Sequence, residues 1–186
     1  MSIWGLPQTA VIGGVEYHLN TAFRDVLEIF SYLNDPDQPE WVRWQIAVGL
    51  FYEEELPEEY QSAAMEYLAS FIACGEEDSK PGHRLLDWEQ DAQIIAADIN
   101  KVAGTEVRAL PHLHWWTFLS YFRGIGEGQL STIVSIREKL RTGKKLEKWE
   151  KEFEKENREL IRLTKKSQRS KEELNEIREL LGLARK

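Results

Sequence analysis

The chain has 186 residues, 42% of them apolar, with seven Trp, seven Phe and six Tyr, which is enough for a packed core and excludes a wholly disordered chain. Its formal charge of −8 argues against nucleic acid or an anionic membrane as the main partner. The charge is uneven: residues 1–140 hold 22 acidic and 9 basic side chains, and residues 141–186 hold 10 acidic and 15 basic ones. The expected organisation is an acidic helical body with an N-terminal hairpin, residues 1–142, and a basic amphipathic helical tail, residues 143–186. A single cysteine, Cys74, excludes an intrachain disulfide or a cysteine metal cluster and suits a reducing cytoplasm. No apolar run reaches the roughly 18–20 residues of a membrane span. The start, Met1-Ser2-Ile3-Trp4, lacks a signal-peptide pattern, so an intracellular, soluble protein is expected.

The first segment alternates. Thr9–Ile12 and Val15–Leu19 read as two short strands around Gly13-Gly14, a pair that tolerates the positive φ of a tight hairpin turn. From Asn20 the period turns helical. Asn20 or Thr21 is the expected cap of a helix with Phe23, Val26, Leu27, Phe30 and Leu33 on its apolar stripe, and Asp35-Pro36-Asp37 ends it. A second helix from about Glu40 carries Trp41, Trp44, Val48 and Phe51, with Ile46 and Leu50 widening the buried face. Pro57 opens a third, bearing Tyr60, Ala64, Tyr67, Leu68 and Phe71, with Gly75 as its stop. Residues 76–86 read as a charged surface loop.

Asp87 is the expected cap of a fourth helix with Trp88, Ala92, Ile95, Ile99 and Val102. Pro111 opens a fifth, apolar nearly all round from His112 to Phe122, as expected of a buried central helix. A sixth runs from about Gln129 to Leu140, with Leu130, Ile133, Val134 and Leu140 inward. In the tail, Leu146, Trp149, Phe153, Leu160 and Leu163 share one heptad seam, with Glu156 interrupting it. Ser170-Lys171-Glu172-Glu173 has capping-box spacing for a last helix with Leu174, Ile177 and Leu181 inward. The fold class that follows is mainly α: a bundle of about six helices with a short N-terminal β-hairpin and a C-terminal amphipathic helical tail. Removing residues 143–186 is expected to leave a folded body.

No catalytic motif stands out. His112 and His114 are two apart, whereas helical metal ligands favour a spacing of four. The carboxylates Glu53-Glu54-Glu55, Glu58-Glu59 and Asp87/Glu89/Asp91 read as solvated partners of helix starts. Gly124-Ile125-Gly126-Glu127-Gly128 lacks the Lys-Ser/Thr of a phosphate loop and reads as a helix–helix joint. Ser131, Ser135 and Cys74 have no nucleophile context. The expectation is a protein-binding protein rather than an enzyme, with no catalytic residue, metal or cofactor. Trp115 and Trp116 are adjacent and point about 100° apart on a helix, so they serve either core packing or, with one ring exposed, a partner. The tail either docks on its own body or offers Leu146, Trp149, Phe153, Leu160 and Leu163 to another protein. These seven residues are the candidate binding set.

Taken together, Gly13-Gly14, Asn20-Thr21-Ala22-Phe23-Arg24, Cys74-Gly75, Asp87-Trp88-Glu89-Gln90-Asp91-Ala92, Leu113-His114-Trp115-Trp116-Thr117-Phe118 and Ile136-Arg137 resemble the bacteriophage gp-fifteen family of tailed phages and prophages of Gram-positive bacteria. The likeness covers roughly residues 5–165. Members look like tail-morphogenesis proteins encoded between the major tail protein and the tape-measure protein, a position typical of tail assembly chaperones. The resemblance therefore implies a chaperone in the bacterial host cytoplasm that binds the tape-measure and/or major tail protein; the amphipathic tail, read by itself, adds self-association through the C-terminal helices as a further outlet. A head–tail joining or tail-terminator component retained in the virion is the alternative.

Overall fold

Gly13 and Gly14 take φ values of +59° and +83° and close a hairpin of β1 (Thr9–Ile12) and β2 (Val15–His18). The strands pair antiparallel with Ala10 opposite Tyr17 and Ile12 opposite Val15. Ala10, Ile12 and Tyr17 are buried, while Val11, Glu16 and His18 face out. The structure, a computed structural model, describes residues 4–75 and 83–164. Eight α-helices follow the hairpin among these residues: α1 (Phe23–Leu33), α2 (Glu40–Phe51), α3 (Gln61–Ile72), α4 (Ala92–Ala103), α5 (Trp115–Arg123), α6 (Gln129–Arg141), α7 (Lys148–Glu156) and α8 (Arg158–Ile161). The mainly helical class with an N-terminal hairpin is what the periodicity predicts. The expected last helix beginning at Ser170 lies outside the described residues.

The described residues divide into two units, one of residues 4–75 and 112–116, the other of 83–111 and 117–164. In the first, α1 and α2 lie side by side, α3 packs on α2, and the hairpin contacts α3. Phe51 is fully buried and meets Tyr52 and Phe71 at ring-centroid distances of 5.0 and 4.9 Å. In the second, α4 and α6 pack together, and α6 and α7 each contact α8. Ile133, Ile136, Leu146 and Ile161 form one apolar cluster there, with Phe153 and Leu160 against it. Segment 146–161 thus covers Ile133 and Ile136 of α6.

Several local expectations are corrected. The cap position of α1 is Ala22, without a side-chain bond, because the Thr21 hydroxyl faces Gln8 Oε1 (3.2 Å) and His112 Nε2 (3.3 Å) instead. The buried stripe of α1 is Phe23, Val26, Ile29 and Tyr32, one residue off the expected line through Leu27, Phe30 and Leu33. Trp41 is exposed, and Val42 takes the inward place in α2. After Pro57, Glu58–Tyr60 form a short 3-10 turn before α3 begins. Pro111 opens no helix: Ala22 and His114 pair as an isolated antiparallel bridge, and Phe23 N–H donates to Leu113 O at 2.9 Å. Leu140 is exposed rather than inward. Asn157 separates α7 from α8, so the tail is not one continuous heptad helix.

Gly13 illustrates how tightly the hairpin is seated. A Cβ there would lie 2.3–2.8 Å from ring atoms of Tyr60, whereas at Gly14 nothing lies within 4 Å. Gly14→Ala should therefore lose only the about 1–2 kcal/mol of a left-handed non-glycine residue. Gly13→Ala should lose that and the displacement of Tyr60 as well. Thermal melts of the two variants test this, and equal losses would mean that the Tyr60 ring yields freely.

Candidate functional site

The last four carbonyls of a helix have no partner within it. In α3, backbone N–H groups serve three: Ala73 donates to Ala69 O, Gly75 to Ser70 O and Cys74 to Phe71 O, at 3.1, 2.8 and 3.0 Å. Cys74 and Gly75 both have positive φ, 56° and 75°. The fourth, Ile72 O, accepts the Trp115 indole N–H at 3.0 Å, and the Trp116 indole donates a second bond to Phe71 O at 2.8 Å. Trp115 is only 1% exposed and lies 5.6 Å from the Phe30 ring, so it is core. Trp116 is half-buried, with its ring 5.9 Å from Phe71.

His114 fixes the start of α5. Its Nε2–H donates to Pro7 O at 3.0 Å, because a carbonyl can only accept, and its Nδ1 accepts the Trp116 backbone N–H at 3.1 Å. The ring is therefore neutral with its proton on Nε2. Burial pushes its pKa down and His112 adds to this, against the Pro7 bond.

In the second unit a buried ion pair takes the central place. The Arg137 guanidinium meets Asp91 with two bonds, Nη1 to Oδ2 at 2.7 Å and Nη2 to Oδ1 at 2.8 Å. Both residues are buried. Its other three N–H groups go to Leu85 O (3.0 Å), Ile161 O (3.0 Å) and Leu160 O (2.5 Å). All five donors are satisfied. Asp91 Oδ2 also accepts the Asp87 N–H at 2.9 Å. Gln90 grips the same C-terminal segment: its Nε2 donates to Arg162 O at 2.7 Å, and its Oε1 accepts from Thr164 N–H and Oγ1, both at 3.0 Å. Asp87 Oδ1 accepts the N–H groups of Glu89 and Gln90, so it caps the turn before α4 rather than α4 itself, which starts at Ala92. Trp88 precedes the helix and packs on Phe122 at 5.0 Å.

The glycine-rich joint has a similar internal explanation. Asp98, buried in α4, accepts the Leu130 N–H at the start of α6 and is bridged by Lys101 at 2.6 Å. A Cβ on Gly128 would come within 2.8 Å of its carboxylate. A carboxylate already stands where a phosphate would sit at that helix start. Among the described residues no group of three His, Cys, Asp or Glu is placed to hold a metal.

The candidate binding residues separate. Trp115 and Leu146 are buried; Trp116, Phe153, Leu160 and Leu163 are half-buried; Trp149 is 52% exposed, its indole donating to Glu147 Oε2 at 2.9 Å. Trp115 and Trp116 belong to the first unit and the other five to the second. What the sequence reading missed is the partnership of Asp91, Gln90 and Arg137. Its signal was present: Arg137 stands four residues after Ile133 on the inward stripe of α6, where an unpaired charge would be prohibitive.

A family model described as Bacteriophage Gp15 protein matches residues 5–168. The chain belongs to that family. No curated protein and no solved structure matches it. The Gp15 match takes in Asp87–Ala92, Leu113–Phe118 and Arg137, the residues whose bonds are described above. No helix among the described residues is long and apolar enough to cross a membrane.

Two outcomes are expected. Removing one partner of the buried pair, as in Arg137→Met or Asp91→Leu, should destabilise by about 3–5 kcal/mol, read by denaturant melts; a loss below 1 kcal/mol would show that the site is wetter than its burial indicates. For His114, the unfolded ring takes up a proton near its ordinary value of 6.5 while the folded ring resists it. Stability is thus level above pH 6.5 and falls as pH drops toward the lowered folded value. His18, raised by its bond to Glu54, acts in the opposite sense but at the surface, where such pairs contribute little. His114→Asn, which keeps an acceptor for Trp116, should remove most of the acid-side loss; an unchanged pH profile would assign that loss elsewhere.

Proposed function

We propose that this Gp15-family chain serves phage tail morphogenesis as an assembly chaperone without chemistry of its own, binding the tape-measure and/or major tail protein in the host cytoplasm. The family match over residues 5–168 carries this reading. It is supported by how the signature residues are used. The indoles of Trp115 and Trp116, the ring of His114, and Gln90, Asp91 and Arg137 all bond within the chain, which leaves recognition to other surface. Large apolar side chains remain there, among them Trp41 at 58% exposure and Trp149, on a chain whose net charge of −8 keeps it dispersed. Exposed aromatic anchors on a well-charged surface suit a protein that covers apolar segments of another.

Co-expression with the tape-measure protein, followed by affinity capture, should give a soluble stoichiometric complex in which the tape-measure protein is insoluble alone. Trp41→Ala should leave melting unchanged and lower capture about tenfold or more, as loss of a tryptophan anchor of about 2 kcal/mol implies. If the two proteins ignore each other and the chain is instead found stoichiometrically in purified virions, a head–tail joining or tail-terminator role replaces this one.

A further inference from the structure

Surface charge sorts by unit. Residues 4–75 hold 12 acidic and 2 basic side chains, while residues 83–164 hold 13 and 14. On the first unit the acidic groups gather beside the hairpin. Glu54 accepts from His18 twice, at Nδ1 (2.6 Å) and at the backbone N–H (2.8 Å). Glu53 N–H donates to His18 O at 3.1 Å, which lays residues 53–55 alongside β2. Glu16 projects from the same outward face, opposite Val11 in register. Val11 is 67% exposed there. This surface carries one exposed valine, Val11, with carboxylates around it.

On the second unit the opposite surface occurs at the start of α7. Trp149 stands out with Lys144, Lys145, Lys148 and Lys151 exposed along the same stretch. Glu150 is turned inward: Lys139 meets it at 2.5 Å, and its Oε2 accepts the Glu147 N–H; of the exposed acids in this stretch, Glu147, which accepts the Trp149 indole N–H, and Glu152 offset part of the four lysines. This surface is aromatic with a positive frame.

We propose that the two surfaces bind each other between copies, the lysine-framed Trp149 of one chain docking on the Val11/Glu16 face and the neighbouring glutamates of the next. The surfaces are different, so the contact is heterologous, and each chain keeps one free surface of each kind; association therefore continues past a pair into a ring or an open string. The proposal does not rest on the tape-measure reading, and it needs no partner protein to test.

Sedimentation velocity of the full chain at about 0.05 M and about 1 M salt decides it, since at 1 M the Debye length is only about 3 Å. The expected result is species larger than two chains of 21.7 kDa at low salt and single chains at high salt. Lys145→Glu with Lys148→Glu, or Glu53→Lys with Glu55→Lys, should each give single chains at low salt. All four changes in one chain should restore association. Trp149→Ala should weaken it at least tenfold with unchanged melting. Single chains at low salt, association indifferent to these variants, or a monomer that binds an acidic helical peptide through Trp149 would each overturn the proposal.

Discussion

A guanidinium that gives all five N–H groups to buried acceptors is the constraint on which the second unit depends. Removing Arg137 from water is costly, and only full satisfaction of its donors offsets that. The fork geometry explains why arginine stands there: two parallel bonds to Asp91 leave three donors aimed at Leu85, Leu160 and Ile161 carbonyls, which a lysine point charge could not reach together. Those carbonyls lie in the chain segment before α4 and at the end of α8. One side chain of α6 thus sets where both segments run. The apolar contacts of Ile133 and Ile136 with Leu146 and Ile161 supply burial along the same line, so hydrogen bonding and packing agree on one arrangement.

The first unit solves a similar problem with different atoms. A helix C-terminus presents unpaired carbonyls, and a buried one needs donors from elsewhere. At α3 those donors are the indoles of Trp115 and Trp116; at α8 they are Arg137 and Gln90. In both, side chains distant in sequence finish a helix that the local chain could not finish alone. This gives the conspicuous Trp-Trp pair and the Asp-Trp-Glu-Gln-Asp-Ala string a shared structural reason, and both fall within the residues that place the chain in the Gp15 family.

How much of this was legible depends on the kind of signal. The hairpin turn and most of the helices follow from periods of two and 3.6 and from glycine's tolerance of positive φ. Caps did not follow. Thr21, Asp87 and Pro111 have the chemistry of helix starts, but each was drawn away by partners far along the chain: Thr21 by Gln8 and His112, Asp87 by its own turn and Arg84, and the segment after Pro111 by the bridge to Ala22. The tail seam includes Leu146, which is buried against α6, but misses Ile161, which is buried beside it. Long-range pairing is invisible to a local pattern, though an arginine on an apolar stripe is a trace of it.

The same distinction separates architecture from recognition. Residues that stand out in a sequence by rarity, such as adjacent tryptophans or a histidine between apolar neighbours, were natural candidates for binding, yet their polar atoms are already bonded inside the chain. Trp41 stands out only by exposure, which no motif announces, while Trp149 is marked by its place on the tail seam as well. A tryptophan whose ring meets water contributes little to the fold and is retained at some risk of aggregation. Charge around such a ring then determines which partners approach, because opposite potentials steer encounter and like potentials repel it. On this chain carboxylates collect beside Val11 and lysines beside Trp149, so each surface favours approach of the opposite charge.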